Sequence, residues 1–201
     1  ASLAELGQFG PAIESLEAAI KADPKWRQAD DTLLVLAHAY NKSGKREQAI
    51  ATAKKLIAEF PKSRLMDQAH YRLAEYSYAA GDFETAAANY QVVLDSHKSS
   101  PLRPHALYGL GWSLLSRNQY ETAEKAFDQL VTEFPEDKLL PRARYARGMA
   151  RQQLGKFAPA LEDVQALLAD QPTPAEKADA QYVLGLCQVG LKQHAEAAAT
   201  F

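Results

Sequence analysis

The chain has 201 residues, 47% of them hydrophobic and 24% charged, with a formal net charge of −2. That balance is ordinary for a soluble globular protein and gives no electrostatic case for nucleic acid or an anionic membrane surface. No run of 18 apolar residues is present to span a bilayer, and a single cysteine, Cys187, excludes an intrachain disulfide and a CxxC metal site.

In chain order, the same six-residue pattern returns: a turn residue, then an aromatic two positions on, then alanine three further. It reads "GQFGPA" at 7, "GKREQA" at 44, "GDFETA" at 81, "NQYETA" at 118, "GKFAPA" at 155 and "KQHAEA" at 192. The starts are 37 residues apart at every step, and the aromatic is lost only at 44 and 192. Twelve residues after each alanine stands Pro24, Pro61, Pro135 or Pro172, with Lys98 the exception. Seven before each turn stands a small residue: Ala37, Ala74, Gly111, Gly148 or Gly185. Four after the alanine come Leu16, Ala53, Tyr90, Phe127, Val164 and Phe201.

Each period reads as two helices. In "ETAEKAFDQLVTEFP" the apolar Ala123, Ala126, Phe127, Leu130, Val131 and Phe134 fall at i, i+3, i+4 spacing, which makes one apolar face. The turn glycine ends the first helix in the left-handed conformation, and the proline is expected to stop the second. Ser63 and Ser100 are expected as N-caps of the next first helices, with Pro101 at a first helical position. Pro104 and Pro141 share a slot and are expected to bend or restart the opening turn. A single pair cannot bury its apolar faces, so stacked pairs make the core, and the fold class is all-α: an α-solenoid of antiparallel helix pairs. The expected division is a partial repeat over 1–24, full repeats over 25–61, 62–98, 99–135 and 136–172, and a partial repeat over 173–201. The chain is expected to be a segment of a longer array, with apolar cut faces near Leu184, Leu186 and Phe201 that could stack end to end.

These columns resemble the tetratricopeptide repeat (TPR) family: small residue, turn Gly, aromatic, Ala, second aromatic, closing Pro. The resemblance covers the whole chain and implies a right-handed superhelix whose first helices line a concave surface. The family's usual repeat is 34 residues, and here three more follow the proline. This spacing, with the "FPKS" style of linker, is similar to bacterial cell-envelope members such as the Tol–Pal-associated periplasmic protein and the outer-membrane assembly lipoproteins. It implies the periplasm or cell envelope as a location, with the cytoplasm as the alternative. The start, "ASLAELGQFG", has no basic segment followed by an apolar stretch, so no signal peptide is expected within these residues, though a processed or trimmed precursor could have had one.

No enzyme site is legible. There is no GxSxG, HExxH, phosphate-loop or dinucleotide pattern. His97 and His105 share one linker, but eight residues apart is not metal-ligand spacing. Cys187 shares a column with Ala39, Tyr76, Ser113 and Ala150 and reads as a packing residue. Neither catalytic residue, cofactor nor metal is expected.

The resemblance instead directs attention to three outward slots of the first helices. They hold Leu34, Tyr71, Tyr108, Tyr145 and Tyr182; then His38, Glu75, Trp112, Met149 and Leu186; then Asn41, Tyr78, Leu115, Gln152 and Val189. Exposed aromatics and methionine are enriched where proteins bind proteins. The candidate partner-binding residues are therefore Tyr71, Tyr78, Tyr108, Trp112, Leu115, Tyr145, Met149 and Tyr182. The tyrosines could equally pack on one another to set the twist. The family's carboxylate clamp of Lys, Arg and Asn is replaced here by Tyr, Trp, Met and Leu, which fits a peptide or helix with apolar anchors. The function expected is a non-enzymatic protein-interaction scaffold; the alternative is a structural spacer or self-assembly segment.

One column breaks. The slot before the small residue reads Leu36, Leu73, Leu110, Arg147, Leu184, and the facing slot on the second helix reads Ser15, Thr52, Asn89, Ala126, Asp163, Thr200. Both exceptions in the fifth repeat are charged and opposite, so an Arg147–Asp163 ion pair is expected between its helices. Arg144 and Arg151 carry no such argument; Glu124 is expected to pair with one of them.

Overall fold

The structure is a computed structural model and describes residues 9–201. The turn at Gly7 lies outside these residues. Eleven α-helices and no strand occur among them: α1 (Phe9–Ala22), α2 (Ala29–Lys42), α3 (Arg46–Glu59), α4 (Met66–Ala79), α5 (Phe83–Ser96), α6 (Arg103–Ser116), α7 (Tyr120–Glu133), α8 (Leu140–Gln153), α9 (Phe157–Ala169), α10 (Pro174–Gly190) and α11 (His194–Thr200). The second helices start at Phe9, Arg46, Phe83, Tyr120, Phe157 and His194, the aromatic column of the sequence, with the same period throughout.

The turn column has one backbone conformation. Gly44, Gly81 and Gly155 have φ of 79°, 82° and 72°, and Asn118 and Lys192 hold 58° and 63°. Glycine enters this region without a Cβ penalty and asparagine tolerates it; Lys192 takes it because the repeat geometry overrides local preference.

The proline is not what stops the second helices. Helix α5 has Lys98 in that slot, yet ends at Ser96 as α3 ends at Glu59 and α7 at Glu133. The next residue leaves helical space in all three: Phe60 at φ −125°, ψ 52°, His97 at −124°, 57°, and Phe134 at −129°, 58°. Its carbonyl then accepts from Ser63, Ser100 or Asp137 N–H at 2.9, 2.9 and 3.1 Å, and this turn ends the helix with or without proline.

The serines also act differently from simple caps. Helices α4 and α6 begin three residues after Ser63 and Ser100, and Leu65, the N-cap of α4, has no side-chain cap bond. Ser63 Oγ accepts from Leu65 N–H at 3.1 Å and donates to Asp30 Oδ2 at 2.6 Å; Ser100 Oγ accepts from Leu102 N–H at 3.2 Å and donates to Asp67 Oδ2 at 2.6 Å. Each serine thus ties its linker to the first helix of the preceding pair. Pro101 lies outside α6, while Pro104 and Pro141 are second residues of α6 and α8, where a missing N–H leaves no intrahelical bond unmade. Pro174 stands in the column of Ser63 and Ser100 and is the first residue of α10. There Thr173 and Glu176 form a reciprocal capping box, and α10 is 17 residues long rather than 14.

The chain forms two compact units, one running to Leu102 and the other from Arg103 to Phe201. Within each, consecutive helices pack side by side as antiparallel pairs. In the first, Leu36, Tyr40, Leu73 and Tyr76 gather around Ala37, Ala49 and Ala53, and Leu33, Leu56 and Met66 form a second cluster. In the second, Phe127 packs among Ala123, Ala146 and Ala150, and Val164, Leu167, Val183 and Cys187 form the other cluster. Each large side chain removed from water contributes about 1.5–3 kcal/mol. Alanine at the contact positions lets the helices approach closely.

Candidate partner-binding groove

In the second unit, the first helices α6, α8 and α10 lie beside one another and present the same slots. Tyr108 and Trp112, Tyr145 and Met149, and Tyr182 and Leu186 are i, i+4 pairs, so each pair shares one helix face. They line an open groove of about 680 Å³, with Leu115, Gln152 and Val183 beside them.

The rings are held from below by the second-helix column. Tyr108 and Trp112 meet edge to face at 6.1 Å, and both rest on the buried ring of Phe127 at 6.1 and 6.3 Å. Tyr182 lies 6.0 Å from Phe201 and remains 60% exposed. Val164 takes the aromatic's place under α8, and there Tyr145 and Met149 pack on the Val164–Leu167 cluster. Burial pushes the Tyr145 hydroxyl up to about 12, with the charge of Asp179 adding to it. Tyr145 is therefore a neutral phenol across the physiological range, with its ring packed on that apolar cluster.

Six of the eight candidate residues, Tyr108, Trp112, Leu115, Tyr145, Met149 and Tyr182, line this groove. Tyr71 and Tyr78 belong to the first unit, where Tyr71 stands edge-on to Tyr90 at 5.7 Å and Tyr78 to Phe83 at 5.2 Å. The tyrosine column thus meets second-helix rings of its own repeat in three cases, Tyr71–Tyr90, Tyr108–Phe127 and Tyr182–Phe201.

Sequence reasoning missed the groove's polar end. Arg142 Nε donates to Glu176 Oε1 at 2.7 Å, and Glu176 also accepts from Thr173 N–H at 3.0 Å and its hydroxyl at 2.8 Å. These bonds, Arg142's first, hold the Glu176 carboxyl down to about 2. Asp179 is exposed on the same rim. The T-x-x-E spacing of Thr173 and Glu176 was the one signal available.

On the opposite side of α8, roughly two residues of helical rotation away, lies a charged network. Arg147 donates through Nε and Nη2 to both oxygens of Asp163 at 2.9 and 2.6 Å, and through Nη1 to Asp128 at 2.6 Å. Arg151 donates to Asp163 at 2.8 Å and to Glu124 at 3.0 Å, and Lys156 reaches Glu124 at 2.6 Å. Asp163 is only 5% exposed and accepts three charge-assisted bonds, which is what a buried carboxylate requires. The pair Arg151–Glu124 bridges α7 and α8, and Asp128 joins from α7.

Elsewhere little chemistry is assembled. His70 Nδ1 lies 2.8 Å from Asn89 Oδ1, and its ring stands 6.5 Å from that of His97. No group of three His, Cys, Asp or Glu among the described residues could hold a metal ion. Cys187 is buried, and none of the described helices is long and apolar enough to cross a membrane.

No curated protein matches the chain, but solved structures do. A tetratricopeptide repeat protein from Parabacteroides merdae ATCC 43184 is 20% identical with a TM-score of 0.77, over 98% of this chain and 73% of that one. YrrB, described as a TPR protein with an unusual peptide-binding site, is 19% identical with a TM-score of 0.74, over 94% and 89%. MamA from Desulfovibrio magneticus RS-1 is 23% identical with a TM-score of 0.72, over 86% and 90%. At these identities the likeness concerns the fold: all-helical, in stacked pairs. Family matching adds the repeat itself, along residues 3–75, 71–138 and 145–201, and the chain belongs to the tetratricopeptide repeat family.

Proposed function

We propose that this chain is a non-enzymatic scaffold that holds a short segment of a partner protein in the groove of α6, α8 and α10. The observation that carries the proposal is the apolar floor of that groove. Trp112, Met149 and the rings of Tyr108, Tyr145 and Tyr182 are fixed from below and open above, with Tyr182 60% exposed. Large apolar groups held in an open groove lose free energy to water until something covers them. Rigid aromatics cover a partner at low entropic cost. The tetratricopeptide repeat is in general a protein-interaction scaffold, and one structural neighbour, YrrB, is described by its peptide-binding site; both support this reading.

Panning a 12-residue random peptide library on the protein tests it. Binders should weaken at least tenfold on Trp112→Ala, measured at a temperature where circular dichroism shows that variant still folded, since the indole also packs on Phe127. Binders indifferent to Trp112→Ala, Met149→Ala and Tyr182→Ala together reject the groove.

A second reading, that the chain is a structural or self-assembling segment, draws on the exposed Val189, Leu191 and Phe201 of the last helix pair at 46%, 36% and 66%. A concentration-dependent sedimentation coefficient that Phe201→Ser abolishes would support it, and a monomer at every concentration would reject it.

A further inference from the structure

The groove's lining contains three charged side chains: Arg142, Glu176 and Asp179. Arg142 and Glu176 satisfy one another at 2.7 Å. Asp179 forms no ion pair among the described residues. The other cations of α8 are not available to a ligand here. Arg147 and Arg151 are committed to Glu124, Asp128 and Asp163 on the far side, and Arg144 does not line the groove; nor does Lys177 of α10. The lining therefore carries one uncompensated negative charge, set among aromatic rings and phenol oxygens.

From this we infer that the segment held in the groove carries a lysine or arginine next to its apolar anchor, its charged head against Asp179. The inference rests on the groove reading above. It follows from charge complementarity and from the rings. A lysine or arginine has an apolar stem that lies along aromatic faces, and a cation that their quadrupoles attract. Tyr182 is one helical turn beyond Asp179 on α10, and Tyr145 is close enough for Asp179 to raise its hydroxyl, so a basic head at Asp179 brings its stem against both rings. A carboxylate in that place would meet Asp179 and Glu176 with no free cation to receive it, so an acidic or C-terminal carboxylate anchor is disfavoured.

The same 12-residue library, panned in parallel on wild type and Asp179→Lys, decides the matter. Asp179 is exposed, so the variant should keep the wild-type melt. Trp112-dependent binders of wild type should carry Lys or Arg within three positions of their aromatic or aliphatic anchor. Those selected on Asp179→Lys should carry Asp or Glu there instead. Reversing that basic residue to Glu in a selected synthetic peptide should weaken binding to wild type roughly tenfold and restore it on Asp179→Lys. The gap should narrow as salt rises. Trp112-dependent binders with no basic bias, or with the same composition on both proteins, overturn the inference and leave the groove standing. Binders that ignore Trp112→Ala overturn both.

Discussion

Gly111 of α6 faces the ring of Phe127 so closely that a Cβ on it would stand 2.4 Å from the ring's Cζ. Phe127 is fully buried and carries Tyr108 and Trp112, so its ring cannot withdraw without moving the groove floor. Gly111→Ala should therefore destabilise by about 1–3 kcal/mol, despite the gain of up to about 1 kcal/mol that alanine brings to a helix interior. Gly111→Ala with Phe127→Leu should recover part of this loss, with urea unfolding as the measurement. Gly185 repeats the relation with Phe201 at 2.5 Å, but Phe201 is exposed and can shift, so Gly185→Ala should cost less.

The Arg147–Asp163 pair predicts a strong coupling. Replacing Asp163 by the Thr of its column leaves Arg147, 12% exposed, with Asp128 alone. Replacing Arg147 by Leu leaves Asp163 with Arg151. Each single change should cost about 3 kcal/mol, near the low end for one half of a buried pair, since a second partner remains. The double variant, which restores the Leu–Thr pairing of Leu36–Thr52 and Leu184–Thr200, should cost less than either single. Additive losses in thermal or urea unfolding would show that the two act independently. What the pair supplies beyond this is register: a forked donor accepts one alignment of α8 on α9, where Leu against Thr accepts several.

Glu176 predicts a pH response of known sign. Its folded-state pKa, about 2, lies below the ordinary 4.5, chiefly through Arg142 and then through Thr173. Its contribution is therefore fully present above about pH 4.5 and is lost as pH falls toward 2. A carboxyl-carbon NMR titration should place the midpoint near 2 and show it rising toward the ordinary value in Arg142→Ala. A midpoint unmoved by that substitution would show that the capping box, not Arg142, sets it.

Periodicity made the helices legible because each column is a contact repeated in space. The turn residues share one φ, the second helices share one start, and the slots holding Tyr108, Trp112, Tyr145, Met149 and Tyr182 point into one groove. What stayed illegible does not repeat. Column comparison reached Asp163 from Arg147 and left Glu124 with two candidates, Arg144 and Arg151; Arg151 is the one that meets it, across repeats. Asp128 stands in a column of polar surface residues, Gln91 and Gln165 among them, where an acid is no exception. Ser63 and Ser100 were visible as N-terminal residues, but their bonds to Asp30 and Asp67 reach back 33 positions into the preceding pair, which no local capping rule contains. Arg142–Glu176 spans 34 and was hidden for the same reason.

Cys187 offers a probe of how the second unit opens. It is fully buried among Val164, Leu167 and Val183, and burial raises its thiol to about 11. At pH 8 about one molecule in a thousand would hold a thiolate even if reagent could enter, and the close-packed helices deny entry. Labelling by an aromatic disulfide reagent in the folded state should therefore run at least about a hundredfold slower than in urea. Below that limit the rate reports the open fraction of the α8–α10 cluster. Ligand held in the groove touches Tyr145, Met149 and Val183, which pack on the same cluster, so a bound peptide should slow labelling further. Rapid labelling of the folded protein would show instead that α10 separates readily from α9, and that the groove's third wall is not held in place.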